Sequence, residues 1–313
     1  MHKVLGLDTS NYTTSAAVYD RESKRVCHRK RLLPVKKGQL GLRQSDAVFH
    51  HTQQLPEILE QLMEETPCSP EAVGVSLRPR DVEGSYMPCF TVGAGAARSL
   101  AAVLHIPLYT FSHQVGHIAA ALYSSGRLDL LQEEFIAFHV SGGTTEAVLV
   151  RPHPEQVLSC QLVAETLDLN AGQAVDRVGG MLDLPFPAGP HLERLALAWQ
   201  EKPEKVHPVV KGTNCCLSGV ENLCRKKRDQ GQAPESIARF CLDYVAETLA
   251  VMCRRLLEQY GNLPVLFAGG VMSNGIIRKR FEKEFNGLFA QPEFSADNAA
   301  GIAVLTAVKA GWR

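Results

Sequence analysis

Val4-Leu5-Gly6-Leu7-Asp8-Thr9-Ser10-Asn11-Tyr12-Thr13-Thr14-Ser15-Ala16-Ala17-Val18 stands at the start of the chain, and its pattern returns in the second half. A shift of 131 positions brings Leu5 and Leu7 onto Ile136 and Phe138, Ser10 onto Ser141, Thr13 and Thr14 onto Thr144 and Thr145, and Ala16 onto Ala147. Each copy reads as strand, tight polar turn, strand: 4–8 and 14–19 in the first half, 135–140 and 145–150 in the second. One such unit in each half predicts a duplicated architecture of two facing lobes.

Working outward, 45–63 has helical spacing, 72–77 reads as a strand, 78–93 as a loop and 95–104 as a small-residue helix. A strand at 107–110 leads to Ser112, placed as the N-cap of a helix through Tyr123. Further helices are expected at 170–182, 190–200, 217–229 and 233–259. A strand at 263–267 then runs into Ala268-Gly269-Gly270, and 297–309 forms a last helix. Alternating strands and helices define an α/β chain. Its lobes are expected at 1–130 and 131–296, with the tail 297–313 returning to the first. The 313 residues, 45% apolar and 21% charged, suit a folded two-domain protein and exclude a disordered chain.

No uncharged apolar run reaches the roughly 18 residues of a membrane span. The nine scattered cysteines contain no C-x-x-C pair and read as reduced thiols of a cytoplasmic protein. Thirty-three basic and 33 acidic residues balance, so the whole molecule exerts no pull on nucleic acid. The basic stretches 24–37 and Arg225-Lys226-Lys227-Arg228 are read as solvated faces, with an RNA-facing patch as the alternative.

The two polar turns offer backbone N–H groups and hydroxyls suited to phosphate oxygens. Gly142 and Gly143 let the backbone approach a ligand closely. Gly269 and Gly270 follow an apolar strand and precede a helix, where open α/β folds place ligands, and an adenosine-side contact is the functional reading. His113 and His117, four apart, share one helix face and can address one ion. A third ligand is needed; Asp297, at a helix start, is a candidate beside His105, Asp81 and Glu83. Gln114 stands where the H-E-x-x-H peptidase helix has its glutamate, and an amide is no general base, so that peptidase route is excluded. His50, His51 and His105 read as core or surface residues.

These residues carry a resemblance that runs nearly from end to end. The motifs are His113-x-x-x-His117, Val140-Ser141-Gly142-Gly143, Ala171-Gly172-Gln173-Ala174-Val175-Asp176, Phe186-Pro187-Ala188-Gly189-Pro190, Leu217-Ser218-Gly219, Ala268-Gly269-Gly270-Val271-x-x-Asn274 and Ala296-Asp297-Asn298. Together they resemble the threonylcarbamoyl-adenosine synthase (TsaD) family of the actin-like ATPase and sugar-kinase superfamily. The resemblance implies two ribonuclease-H-like lobes facing a nucleotide cleft. It implies iron or zinc on His113, His117 and Asp297. It implies ATP or an acyl-adenylate held by His139, Val140, Ser141, Gly142, Gly143, Asp176, Gly189 and Asn274. The implied reaction moves a threonylcarbamoyl group from its adenylate to N6 of a tRNA adenosine, with a family-type partner protein and no membrane. Ser10, Thr144 and Thr145 are the catalytic candidates.

The departures are equally specific. Asn11-Tyr12-Thr13-Thr14 replaces the family's Cys-Asp-Glu-Thr, Thr144 its turn histidine, Gln173 a glutamate, Glu221 a lysine, and the stretch 78–84 a Gly-Pro-Gly loop. They mark a divergent paralogue. They also leave room for a transferase or hydrolase on another acceptor, or for a nucleotide-binding regulatory protein without catalysis.

Overall fold

The computed structural model describes residues 2–10, 12–34, 42–294 and 298–312. The chain divides into two compact units, Met1–Glu133 with Arg151–Cys160 and Glu293–Arg313, and Glu134–Val150 with Gln161–Pro292.

In the first unit β1 (Lys3–Ser10), β2 (Thr13–Asp20) and β3 (Arg25–Leu32) form an antiparallel meander. β4 (Val73–Arg78) and β5 (Leu108–Ser112) add in parallel on the other side of β1. The order is β3-β2-β1-β4-β5. Helices α1 (Gln44–Glu65), α2 (Phe90–Leu104) and α3 (His113–Ser124) connect and follow these strands.

The plan is repeated by β6 (Phe135–Val140), β7 (Thr145–His153) and β8 (Val157–Glu165), of which Arg151–Cys160 belongs to the first unit and the rest to the second. Its long crossover holds α4 (Ala171–Met181), α5 (Gly189–Leu197), the ribbon β9 (Val209–Lys211) and β10 (Asn214–Cys216), α6 (Gly219–Asp229) and α7 (Pro234–Tyr260). β11 (Val265–Ala268), α8 (Gly275–Phe285) and β12 (Leu288–Phe289) complete a sheet ordered β12-β11-β6-β7-β8. Read from its other edge, that is the order of the first.

The registers coincide as well. Leu7 faces Ala16 and Thr9 faces Thr14 in the first hairpin; Phe138 faces Ala147 and Val140 faces Thr145 in the second. The parallel neighbours match too, Leu5 beside Val73 and Ile136 beside Val265. A one-residue slip would turn every side chain to the wrong face, so the shared register reflects shared burial. Leu5, Leu7, Ala16 and Val18 enter one core, Ile136, Phe138, Ala147 and Leu149 another.

The last helix, α9 (Ala299–Lys309), packs with the first unit, against β1 and α3. The crossing with α3 is made by glycines: a Cβ on Gly301 would stand 1.8 Å from the Gly116 carbonyl oxygen. Gly301→Ala is therefore expected to force the two helices apart and cost about 1–3 kcal/mol, measured as a fall in the urea midpoint at unchanged slope.

The helix expected from residue 95 starts at Phe90 instead. The stretch through Gly93 reads as loop, yet Thr9 Oγ1 donates to the Cys89 carbonyl at 3.0 Å and accepts from Gly93 N at 3.0 Å, so β1 itself caps the first turn. Strands β8, β9 and β10 carried no sequence expectation.

Candidate functional site

Two centres emerge, one in each unit. In the first, the Ser112 side chain caps α3 by accepting from Val115 N. That start turns both imidazoles to one face, with His113 and His117 ring centroids 4.6 Å apart. His113 Nδ1 lies 2.8 Å from Asp8 Oδ2 at the end of β1. Asp8 is fully buried, and its other oxygen accepts from Ser10 N at 2.9 Å. Burial alone would push this carboxyl up; His113 and the hydrogen bonds hold it below the ordinary aspartate value of 3.8. On the far side of the ring, His113 Nε2 stands 3.4 Å from Asn298 Nδ2. Asn298 Oδ1 is buried with no hydrogen-bond partner among the described residues.

Among the described residues no three His, Cys, Asp or Glu side chains converge as a metal site. Asp297 lies outside the described residues. The other third-ligand candidates divide. Asp81 is committed elsewhere, accepting from Arg78 at 2.7 Å and from Ser112 Oγ at 2.7 Å. His105 ends α2 in the left-handed conformation. What is described fits the donor chemistry of a divalent transition metal: two imidazoles on one face, one anchored by a carboxylate, and an orphaned amide oxygen beside it.

Ser10 is buried at the start of the first turn. His51, on α1, is buried beneath that turn: its Nδ1 is 2.8 Å from Thr14 Oγ1, whose hydrogen goes to Gln54. Burial pushes its pKa down, so a neutral ring supports the turn from the core.

The second centre is a cavity of about 350 Å³ inside the second unit. Gly142, Asp176, Gly189, Gly270 and Asn274 all line it, with Val175, Pro190, Leu242 and Ile277 as apolar walls. The helix α4 comes close because Gly172 has no side chain; a Cβ there would sit 2.6 Å from Gly142 N. Asp176 Oδ1 accepts from Ala188 N at 2.8 Å and so holds the 186–190 turn against α4. Asn274 caps α8, its Oδ1 accepting from Ile276 N and Ile277 N. Glu193 also lines the cavity and accepts from Gly275 N at 2.7 Å. Sequence reasoning passed over Glu193, although it stands four residues after Gly189 on α5, on the same helix face.

The remaining expected ligand residues flank the cavity without lining it. Gly269, at φ +98, packs on β6, where a Cβ would meet the Val140 oxygen at 2.3 Å. The turn after β6 is closed on itself: Ser141 Oγ accepts from Gly143 N and Thr144 N, and Ser141 N donates to Thr144 O. Thr145 is buried, its hydroxyl accepting from Ala171 N at 2.8 Å. His139, one residue before the end of β6, lies across from Glu146. Gln173 Oε1 accepts from Asn170 N at the start of α4; an amide serves that role as well as a carboxylate, so this departure is a local capping matter.

Asp168 anchors the Leu217-Ser218-Gly219 motif, accepting from Leu217 N at 2.7 Å and Ser218 Oγ at 2.6 Å. Burial pushes it up, but these donors win and hold it below 3.8. A lowered aspartate contributes stability that is present above its unfolded value and lost as the pH falls through the folded one. Asp168→Asn is expected to cost about 1–2 kcal/mol near neutral pH, a difference that shrinks below pH 3.8 in urea melts run as a pH series.

All nine cysteines are free. Burial pushes the Cys89 thiol up to about 11 and those of Cys215 and Cys253 up to about 12, which leaves them poor nucleophiles. The basic run on α6 is largely neutralised: Glu221 takes Arg225 and Arg177, Glu204 takes Lys227, and Asp229 takes Arg228. No helix among the described residues is long and apolar enough to cross a membrane.

Two sheets of identical order, a turn at each β-hairpin and a cavity beyond β11 define an α/β fold of the kind seen in actin-like ATPases and sugar kinases. The family model described as tRNA N6-adenosine threonylcarbamoyltransferase (TsaD) matches residues 36–304, and the chain belongs to that family. It is 30% identical over 268 residues to the tRNA N6-adenosine threonylcarbamoyltransferase of Methanopyrus kandleri, spanning 84% of this chain and 75% of the relative. It is also 30% identical over 331 aligned positions to the protein of the same name from Bacillus licheniformis, spanning 96% and 89%. Among solved structures, component A of the (R)-2-hydroxyglutaryl-CoA dehydratase of Acidaminococcus fermentans superposes with a TM-score of 0.57 at 14% identity, covering 99% of this chain and all of that one. That likeness is one of fold.

Proposed function

We propose that this chain binds an adenylate in the second unit and transfers its threonylcarbamoyl group to N6 of a tRNA adenosine, with a divalent metal on His113, His117 and Asp297. The observation that carries the adenylate part is the cavity that gathers Gly142, Asp176, Gly189, Gly270 and Asn274. Its apolar walls suit a purine face, and Asp176 and Glu193 supply carboxylate acceptors for ribose hydroxyls. Gly142 and Gly270 expose backbone where a phosphate can approach. When bound, the metal would supply Lewis acidity. The protein's own part is to hold the nucleotide end rigidly, so that the acyl group meets one acceptor rather than water. The test is incubation of the full chain with threonylcarbamoyl-adenylate and unmodified tRNA, with a family-type partner supplied. Modified adenosine is the expected product, and its absence overturns the tRNA assignment.

A second reading, transfer to a smaller acceptor, is favoured by the neutralised α6 run, because Glu221 removes positive field where a lysine is usual in the family. Turnover of the adenylate with small amines but not with tRNA would select it. Adenylate binding without turnover on any acceptor would select a regulatory role.

A further inference from the structure

We infer that Asp8 is the positioning residue of His113, selecting the ring form with its proton on Nδ1 and leaving the Nε2 lone pair as the donor a divalent cation would take. For its purpose the inference rests on the metal reading above; for the ring form it rests on geometry. Asp8 is completely buried at the end of β1, where Oδ1 already accepts from Ser10 N at 2.9 Å. Its Oδ2 is 2.8 Å from His113 Nδ1, and an ionised carboxylate is an acceptor only, so the hydrogen in that contact belongs to the ring. The opposite nitrogen asks for the same form. Nε2 faces Asn298 Nδ2, a donor, at 3.4 Å. An acceptor on one side and a donor on the other leave one neutral tautomer that satisfies both. That lone pair faces the Asn298 amide, which a cation would displace, and the His117 ring stands beside His113 with centroids 4.6 Å apart. A proton on Nε2 would remove the donor a cation needs. Through Ser10 N the same carboxylate ties this ring to the β1–β2 turn, so turn and imidazole keep one geometry.

Asp8→Asn makes the inference testable, because asparagine has a single oxygen. If that oxygen keeps the Ser10 N–H, the amide NH₂ faces His113 Nδ1, which must then accept, and the ring proton moves to Nε2. Long-range ¹⁵N correlation of histidine-labelled, metal-free full chain should show His113 protonated on Nδ1 in the native protein and on Nε2 in Asp8→Asn. Zinc or cobalt affinity, read by chelator competition, should fall about 10–100-fold in the variant, with altered cobalt d–d absorption. A native ring protonated on Nε2 overturns the inference whether or not the variant folds, as does a folded variant with native affinity and spectrum. A native chain with Nδ1–H that binds neither metal overturns the metal reading and leaves the positioning role supported.

Discussion

Asp176→Ala should lose adenylate affinity by one to two orders of magnitude, while Asp176→Asn loses affinity with the fold intact. The two variants separate the residue's two tasks. One task is structural: Oδ1 accepts from Ala188 N and fixes the 186–190 turn that forms one wall of the cavity. Asparagine keeps an oxygen for that bond and alanine does not. The other task is the carboxylate's charge toward the ligand. A hydrogen bond to a charged group is worth about 1.5–3 kcal/mol, or about 10–150-fold in binding at 1.4 kcal/mol per tenfold. Isothermal titration with AMP and a non-hydrolysable acyl-adenylate measures both variants. Native affinity in Asp176→Asn would remove this residue from the ligand's contacts. The alanine variant alone should also unfold at lower urea, by about 1–2 kcal/mol, because it leaves Ala188 N unpaired behind the cavity wall.

The repeat was legible because a hairpin's register is written in alternating burial, which survives when most residues have changed: Leu7 and Phe138 differ, yet both face an alanine and both enter a core. The cavity of the second unit was legible for a related reason, since Gly142, Gly189 and Gly270 line it with open space beside their backbone. Residues whose role depends on a distant partner were not legible. Asp8 is one acidic residue in an apolar strand, and nothing local announces that α3 returns to place His113 against it. The α2 start was misread for the same reason: Gly93 breaks helices on average, whereas here Thr9 from β1 supplies the cap. Thr145 looked like a hydroxyl offered to a ligand, but its partner is Ala171 N at the start of the next helix. Local chemistry pointed to polar turns; tertiary neighbours decided which groups were already spent.

His113→Ala should do two things that His117→Ala does only by half. Both substitutions remove an imidazole donor, so each should lower zinc or cobalt affinity beyond the 10–100-fold expected of an outer-shell change. His113→Ala should in addition destabilise the metal-free fold by about 1.5–3 kcal/mol, the worth of a hydrogen bond to a buried charged group. The Asp8 carboxylate is completely buried, and His113 is its ring partner at 2.8 Å; Ser10 N is a further donor, and the Ser76 and Ser10 side chains also help hold its pKa down. Urea melts in the presence of a chelator isolate this loss from any metal contribution, because both variants are then compared without metal. Adding Asp8→Ala to His113→Ala should recover part of the loss, since an empty apolar site costs less than an unpaired buried carboxylate. Equal stability of the two histidine variants in chelator would show that the Asp8–His113 contact contributes nothing to folding; a large gap that closes in the double variant places the missing energy in that pair.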